Sequence, residues 1–270
     1  METFYFGRLN YTSNYNLYNL LTYGNKFRTP DSNNRYGIFS VSVIDDVELG
    51  VVFTGELVKY QDLKEEEVVK DNELTIEYIK DAIQGRCRFF LTEKSHLIAY
   101  NPYGKVISPK AFCEAFSGVI IGADDTFNVD SEIYPINQEY EFMNFIKTMS
   151  RLETLIINLT PSNPNNRDIW KNTDDRLNEM NVKKYKEEMT VKKNQSIEID
   201  ELTESKIIMA QDGYGKAIGS GKDLDGNDVT VSTDSKESVM KKKINKDLSP
   251  TEQHFFIRDV FNKIIDRFKS

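Results

Sequence analysis

The sequence predicts an α+β protein: a mixed sheet with packed helices, an inserted mobile arm and hairpin, and a C-terminal helix. Apolar and polar residues alternate in several segments of the first 161 residues, which is typical of strands with one buried face. Other segments, including the C-terminal one, carry apolar residues at helical spacing. Between them, residues 162–246 are polar and rich in lysine, asparagine and glycine, which indicates an insertion outside the main core.

Composition limits the class of protein. The chain has 270 residues, of which 39% are hydrophobic and 11% aromatic, enough for one large domain or two modest ones. The net charge of -8 and pI near 5.1 argue against a histone-like polycation, although nucleic-acid binding depends on local lysine and arginine clusters. Cys87 and Cys113 are too few for a disulfide framework. With no signal-peptide pattern and no long apolar run, we expect a soluble, cytoplasmic protein.

Leucines at helical spacing predict a first helix over 15–25 that ends at Gly24-Asn25. Alternating segments then predict two hairpins, 35–44 with 48–60 across Asp45-Asp46, and 86–93 with 96–102.

Three further helices are predicted before residue 150. The first, 73–85, places Ile76, Ile79 and Ile83 on one face. The second begins at Ser108-Pro109, a favourable N-cap with proline in the first turn, and the third spans 139–149.

The second half begins with an apolar strand over 152–161. A breaker-rich loop, 162–166, leads into a helix, 167–181, and a lysine-rich arm, 182–200. A glycine-rich hairpin follows from Gly213. We therefore expect residues 1–161 and 247–270 to form one globular domain, with 162–246 as an inserted arm and hairpin subdomain.

The C-terminal helix has the clearest signal. Ser249-Pro250-Thr251-Glu252 has the pattern of a capping box with proline at the first helical position. Apolar residues follow on one broad face up to Phe268, so we expect this helix to dock on a sheet.

No motif predicts a metal, a cofactor or a catalytic residue. His96 and His254 have no zinc-ligand spacing with each other or with the two cysteines. The glycine-rich segment 213–222 departs from a phosphate-binding loop, because aspartate follows Lys222. The segment 223–228 has its glycine too early for an EF-hand and fits an Asp-Gly turn.

One triplet leaves an enzymatic alternative open. Glu204-Ser205-Lys206, with Asp200 upstream, has the Glu-x-Lys order of Mg²⁺-dependent nucleases of the restriction type. That chemistry needs Glu204 and Lys206 on one face of a strand, and the surrounding sequence is at least as helical as extended.

Clustered basic residues predict DNA contacts. Lysines and arginines of this kind make phosphate contacts without reading sequence. The candidate DNA-binding residues are Lys183, Lys184, Lys192, Lys193, Lys241, Lys242, Lys243, Lys246, Arg86 and Arg88. The same lysines also fit solvated faces that Glu187, Glu188 and Glu237 balance, and sequence leaves both interpretations open.

The order of elements resembles the RexA-like phage-exclusion family. The resemblance rests on the leader helix YNLYNLL, the hairpin RYGIFSVSVI/ELGVVFTGELVKY, the segment RCRFFLTEKSHLIAYNP, the strand LETLIINLTPSNPNN, the polar arm and the terminal helix. It is a pattern of elements over most of the chain, without a signature motif. It implies a homodimer that grips duplex DNA without strong sequence preference and aborts phage infection with a membrane-acting partner.

The predicted function is therefore a non-enzymatic, sequence-independent double-stranded DNA-binding protein. In this interpretation two arms line a basic cleft, and Pro161, Pro164 and the glycines 213–221 let them open and close. A Mg²⁺-dependent nuclease of a defence system and a protein-binding regulator remain the alternatives.

Overall fold

The computed structural model describes residues 1–13, 15–23, 27–28, 33–102, 104, 106–123, 130–138, 141–162 and 167–268. The described strands are β1 (Glu2–Thr12), β2 (Phe27–Arg28), β3 (Asn34–Asp46), β4 (Gly50–Lys70), β5 (Glu73–Thr92), β6 (Leu97–Tyr100), β7 (Asp130–Pro135), β8 (Arg151–Leu159), β9 (Tyr185–Thr190), β10 (Gly215–Lys222), β11 (Asp228–Ser232) and β12 (Lys241–Ile244). The described α-helices are α1 (Leu17–Tyr23), α2 (Pro109–Gly122), α3 (Glu141–Thr148), α4 (Asp168–Glu179), α5 (Glu201–Met209) and α6 (Pro250–Asp266). A π-helical turn, Ala210–Tyr214, follows α5.

The α+β class is confirmed. Antiparallel sheets are combined with helices, and the helices include the one expected at the C-terminus. The residues divide into two compact units: unit 1 is Met1–Asn10, Lys94–Ala99 and Ile133–Ser270, and unit 2 is Tyr11–Glu93 and Tyr100–Glu132.

In unit 2 the strands follow the order β5-β4-β3-β2. The hairpin expected across Asp45-Asp46 is confirmed, because β3 and β4 pair from Asp46↔Gly50 to Asn34↔Gln61. Helix α2 begins at Ser108 as predicted, where the Ser108 side chain accepts a hydrogen bond from the Ala111 amide. Its Phe116 packs edge-on against Phe89 of β5 with ring centroids 5.1 Å apart.

The helix predicted over 73–85 is wrong, since these residues form the first part of β5. Asp71 and Asn72 both adopt positive φ (51° and 65°), which closes a two-residue turn between β4 and β5. From that turn the two strands pair along most of their length, and this hairpin pairing overrides the helical spacing of the isoleucines.

Beyond Gln61, where its pairing with β3 ends, β4 pairs with β5 and with no other described strand. We call residues 62–81, which make up this two-stranded extension and its turn, the ribbon.

Unit 1 contains a four-stranded sheet in the order β11-β10-β8-β9. Its core joins buried residues of β8 to the helices beside it, including Leu155, Ile157, Trp170, Ile207 and Tyr214. The unit also holds β12 paired with β1.

The terminal helix begins as predicted. Ser249 and Glu252 form both halves of the capping box, and Phe261 of α6 packs edge-on against Phe6 of β1 with ring centroids 5.9 Å apart. Burial of Phe261 and its apolar neighbours anchors the helix in unit 1.

The division of the chain differs from the predicted one. Residues 162–246 are continuous with unit 1: their strands β9, β10 and β11 complete the sheet around β8, and Trp170 and Tyr214 lie in its core. Six residues of the lysine-rich arm form edge strand β9, which pairs with β8 from Leu159↔Tyr185 to Thr154↔Thr190. The predicted helix end at Gly24-Asn25 and the predicted hinge residue Pro164 lie outside the described residues.

Candidate nucleic-acid interface

The first lysine group flanks β9. Lys183 and Lys184 precede the strand, Lys192 and Lys193 follow it, and all four are exposed. Along β9 the side chains alternate: Tyr185, Glu187 and Met189 are half-buried, while those between them are exposed. The fold therefore presents these four lysines at the two ends of an edge strand.

A buried lysine holds β9 in place. The Nζ of Lys206 on α5 donates to Glu187 Oε2 at 2.6 Å and to the Tyr185 hydroxyl at 3.2 Å. Burial lowers the pKa of Lys206, but the hydrogen bonds and charges of Glu187 and Tyr185 outweigh it and leave the pKa raised. Glu187 is thus neutralised within the fold, and Glu188 pairs with Lys186 at 3.2 Å.

The nuclease alternative required Glu204 and Lys206 on one face of a strand, and the structure contradicts that premise. Both residues lie on helix α5, where residues two positions apart project from nearly opposite sides of the helix. Glu204 pairs with Lys147 at 2.9 Å, whereas Lys206 binds Glu187. Asp200 caps the helix by accepting from the Thr203 amide at 2.8 Å, and its hydrogen bonds with Thr203 lower its pKa.

The second lysine group lies on edge strand β12. Lys241, Lys242 and Lys243 are opposite Tyr5, Phe4 and Thr3 of β1. All three lysines are exposed, as is Lys246 just beyond the strand. Lys241 Nζ donates to the Lys236 carbonyl at 3.0 Å.

The two predicted arginines belong to unit 2. Arg86 is exposed and pairs with Glu56 at 3.3 Å, while Arg88 is half-buried. Arg86 also borders a groove of about 380 Å³ lined by Phe39, Ser40, Glu56, Val58, Tyr60, Asp81 and Ile83. The ten predicted residues are therefore divided: eight lysines at the edges of two sheets in unit 1, and two arginines in unit 2.

Charge is also unequal between the units. Unit 2 has 19 aspartates and glutamates against 11 lysines and arginines, which is the whole net charge of -8. Unit 1 has 24 of each and is neutral. Five of the eight predicted lysines form neither an ion pair nor a side-chain hydrogen bond with any residue that the structure describes: Lys192, Lys193, Lys242, Lys243 and Lys246.

Sequence reasoning missed a buried polar cluster centred on Asp212 in the π-helical turn. Asp212 is 3% exposed, and its Oδ2 accepts a hydrogen bond from Trp170 Nε1 at 2.8 Å. The same oxygen forms an ion pair with Arg167 Nη1 at 3.5 Å. Arg8 of β1, 1% exposed, donates through Nε to the Asp212 carbonyl at 3.1 Å. Burial raises the pKa of the Asp212 carboxyl, against the opposing effects of Trp170 and the arginines.

The cluster borders a cavity of about 10 Å³, close to the space that one water molecule needs. Within the described part of the chain, the buried Oδ1 of Asn137 and Oε1 of Gln211 have no hydrogen-bond donor. This size and polarity suit a bound water, and the cluster joins β1 to the turn after α5. The one signal in the sequence is Asp212-Gly213, where Gly213 adopts φ +88°.

Over the same described ranges, no group of three or more histidine, cysteine, aspartate or glutamate residues has the geometry to hold a metal ion. None of the described helices is long and apolar enough to cross a membrane.

Residues 11–266 match the profile of a family described as a domain of unknown function, DUF4747. The chain belongs to the DUF4747 family. The matched residues include the ribbon, both lysine groups and Asp212, and begin after Arg8. No curated protein matches the chain.

Proposed function

We propose that this DUF4747 protein is a non-enzymatic, cytoplasmic protein that binds double-stranded DNA without sequence preference through the lysines of unit 1. The observation that carries the proposal is that five of the predicted lysines are exposed and form no ion pair or side-chain hydrogen bond among the described residues, in a unit without net negative charge. The resemblance to RexA-like exclusion factors supports the same function, with a homodimer and a membrane-acting partner.

The physical basis is phosphate contact. Lysines at the ends and edges of strands reach phosphates as point charges and read no base edges, so binding releases counterions and weakens steeply with salt. The acidic unit 2 is repelled by DNA, which restricts contact to unit 1. In a homodimer, two such surfaces engage one duplex.

The test replaces Lys241, Lys242 and Lys243 together by alanine. A matched control, Lys64→Ala with Lys70→Ala and Lys80→Ala, removes the same charge from the ribbon. Binding to two unrelated 20-base-pair duplexes is measured by fluorescence anisotropy across a salt series. We expect the β12 variant to weaken binding equally for both duplexes. The salt slope should fall by up to about 0.9 for each phosphate that the variant no longer neutralises.

Two results contradict the proposal. One is a β12 variant that binds both duplexes as the wild type does at every salt concentration. The other is a ribbon control that loses as much affinity as the β12 variant, which would show that total charge alone governs binding.

A further inference from the structure

The ribbon has one apolar face. Opposed residues of an antiparallel pair share a face, and the pairing places Leu63, Glu65, Glu67 and Val69 of β4 beside Lys80, Tyr78, Ile76 and Leu74 of β5. We call these eight residues face A. The other face carries Lys64, Glu66, Val68 and Lys70 with Glu73, Thr75, Glu77 and Ile79.

The apolar side chains of face A are exposed to an unusual degree. Their exposed fractions are 51% for Leu63, 75% for Val69, 73% for Leu74, 56% for Ile76 and 60% for Tyr78. Exposed apolar side chains scattered singly are ordinary, but five of the eight residues of face A are apolar and exposed. Such a grouping indicates an interaction surface.

Face A continues a face that is covered nearer the body of unit 2. Leu57 and Lys59 of β4 lie on the same face of the strand as Leu63. Leu57 is fully buried, and the Nζ of Lys59 donates to the Val106 carbonyl near α2. On β5 the same face continues from buried Ala82 to the apolar residues Tyr78, Ile76 and Leu74, where no other described strand of unit 2 pairs with the ribbon. The β5 side of face A thus stays apolar in a segment that the unit itself leaves exposed.

Charge decides what covers this face. The ribbon has eight acidic and three basic residues, a net charge of -5, and Glu65 and Glu67 lie on face A itself. This charge repels DNA and anionic lipid, and it repels the same face of a second copy. Apolar side chains flanked by lysine or arginine complement it.

We propose that face A docks a basic, amphipathic segment of a partner protein. Its apolar side chains pack on Ile76, Tyr78 and their neighbours, and its cations pair with Glu65 and Glu67. The surface lies in unit 2 and is independent of the proposed DNA contact in unit 1.

The probe is a fluorescent 12-residue peptide that alternates valine and lysine, compared with one that alternates valine and glutamate. Ile76→Thr removes apolar surface from face A, and Ile79→Thr makes the same change on the opposite face. Threonine keeps the β-branched shape, so strand pairing is preserved in both. Two double variants test how far the acidic residues contribute to peptide binding. One carries Glu65→Gln and Glu67→Gln on face A, and its control carries Glu66→Gln and Glu77→Gln on the opposite face.

We expect the basic peptide to bind the full-length wild type at least tenfold more tightly than the acidic one. Ile76→Thr should weaken that binding roughly tenfold, because it removes most of one buried apolar side chain. Ile79→Thr should change it less than about twofold, and only the face A glutamine pair should flatten the salt dependence. Circular dichroism confirms that each variant is folded.

Three outcomes overturn the proposal. The basic peptide binds no more tightly than the acidic one, or Ile79→Thr weakens binding as much as Ile76→Thr. Alternatively, sedimentation shows a wild-type dimer that Ile76→Thr dissociates, in which case a second copy covers face A.

Discussion

Replacing Lys206 by methionine tests how the lysine-bearing strand β9 is anchored. Methionine keeps the unbranched apolar chain of lysine, so the packing of α5 is largely retained. The substitution removes the charge-assisted hydrogen bond to Glu187 at 2.6 Å and the bond to the Tyr185 hydroxyl at 3.2 Å.

The magnitude follows from burial. The Lys206 side chain is 11% exposed and that of Glu187 is 28% exposed, so the pair is only partly screened by solvent. Hydrogen bonds to charged groups contribute about 1.5–3 kcal/mol, and relief of the lysine's own desolvation offsets part of this loss. We expect the free energy of unfolding to fall by about 2 kcal/mol and Tm by about 4–8 °C.

Lys186→Met is the matched control. It removes an ion pair from the same strand, with Glu188 at 3.2 Å, but both side chains are more than half exposed. Exposed ion pairs contribute little to folding stability, so we expect the free energy of unfolding to fall by less than about 0.5 kcal/mol. Urea denaturation followed by circular dichroism measures both variants, and equal losses for the two would refute the anchoring role of Lys206.

Titration gives an independent check. Because the pKa of Lys206 is raised above the ordinary 10.5, its contribution is complete below that pH and is lost as pH rises through the folded-state value. The stability difference between wild type and Lys206→Met should stay constant at neutral pH and narrow only in strongly alkaline solution.

Two further predictions concern the core of unit 1. Gly215→Ala should destabilise the protein by about 2–3 kcal/mol in urea denaturation, because a Cβ there would lie 2.1 Å from the Asn158 carbonyl oxygen. Gly226→Ala, at φ +85° with open space around it, should cost about 1 kcal/mol, and a larger loss there than at Gly215 would contradict the steric reason. Because burial raises the pKa of Asp212, its stabilising contribution is present at acid pH and lost as pH rises through the folded value. Asp212→Asn should therefore gain stability relative to wild type as pH rises above about 4, and a relative loss would show that the arginines outweigh burial.

The sequence by itself determined the elements whose signals are local. The capping box of α6, the Ser108 N-cap of α2 and the β3–β4 hairpin all form where they were predicted. Each depends on residues a few positions apart, because a cap or a tight turn is complete within one segment.

Only the tertiary structure decided the rest. Residues 185–190 of the lysine-rich arm become β9 because β8 and Lys206 hold them, whereas residues 73–85 become strand through a turn at Asp71-Asn72 whose signal the helical spacing masked. Burial of Asp212 depends on Arg8, which lies 204 positions away in the sequence. Strand pairing, burial and the pairing of charges are long-range, so the sequence shows which lysines exist, and the fold decides which of them remain exposed and unpaired among the described residues.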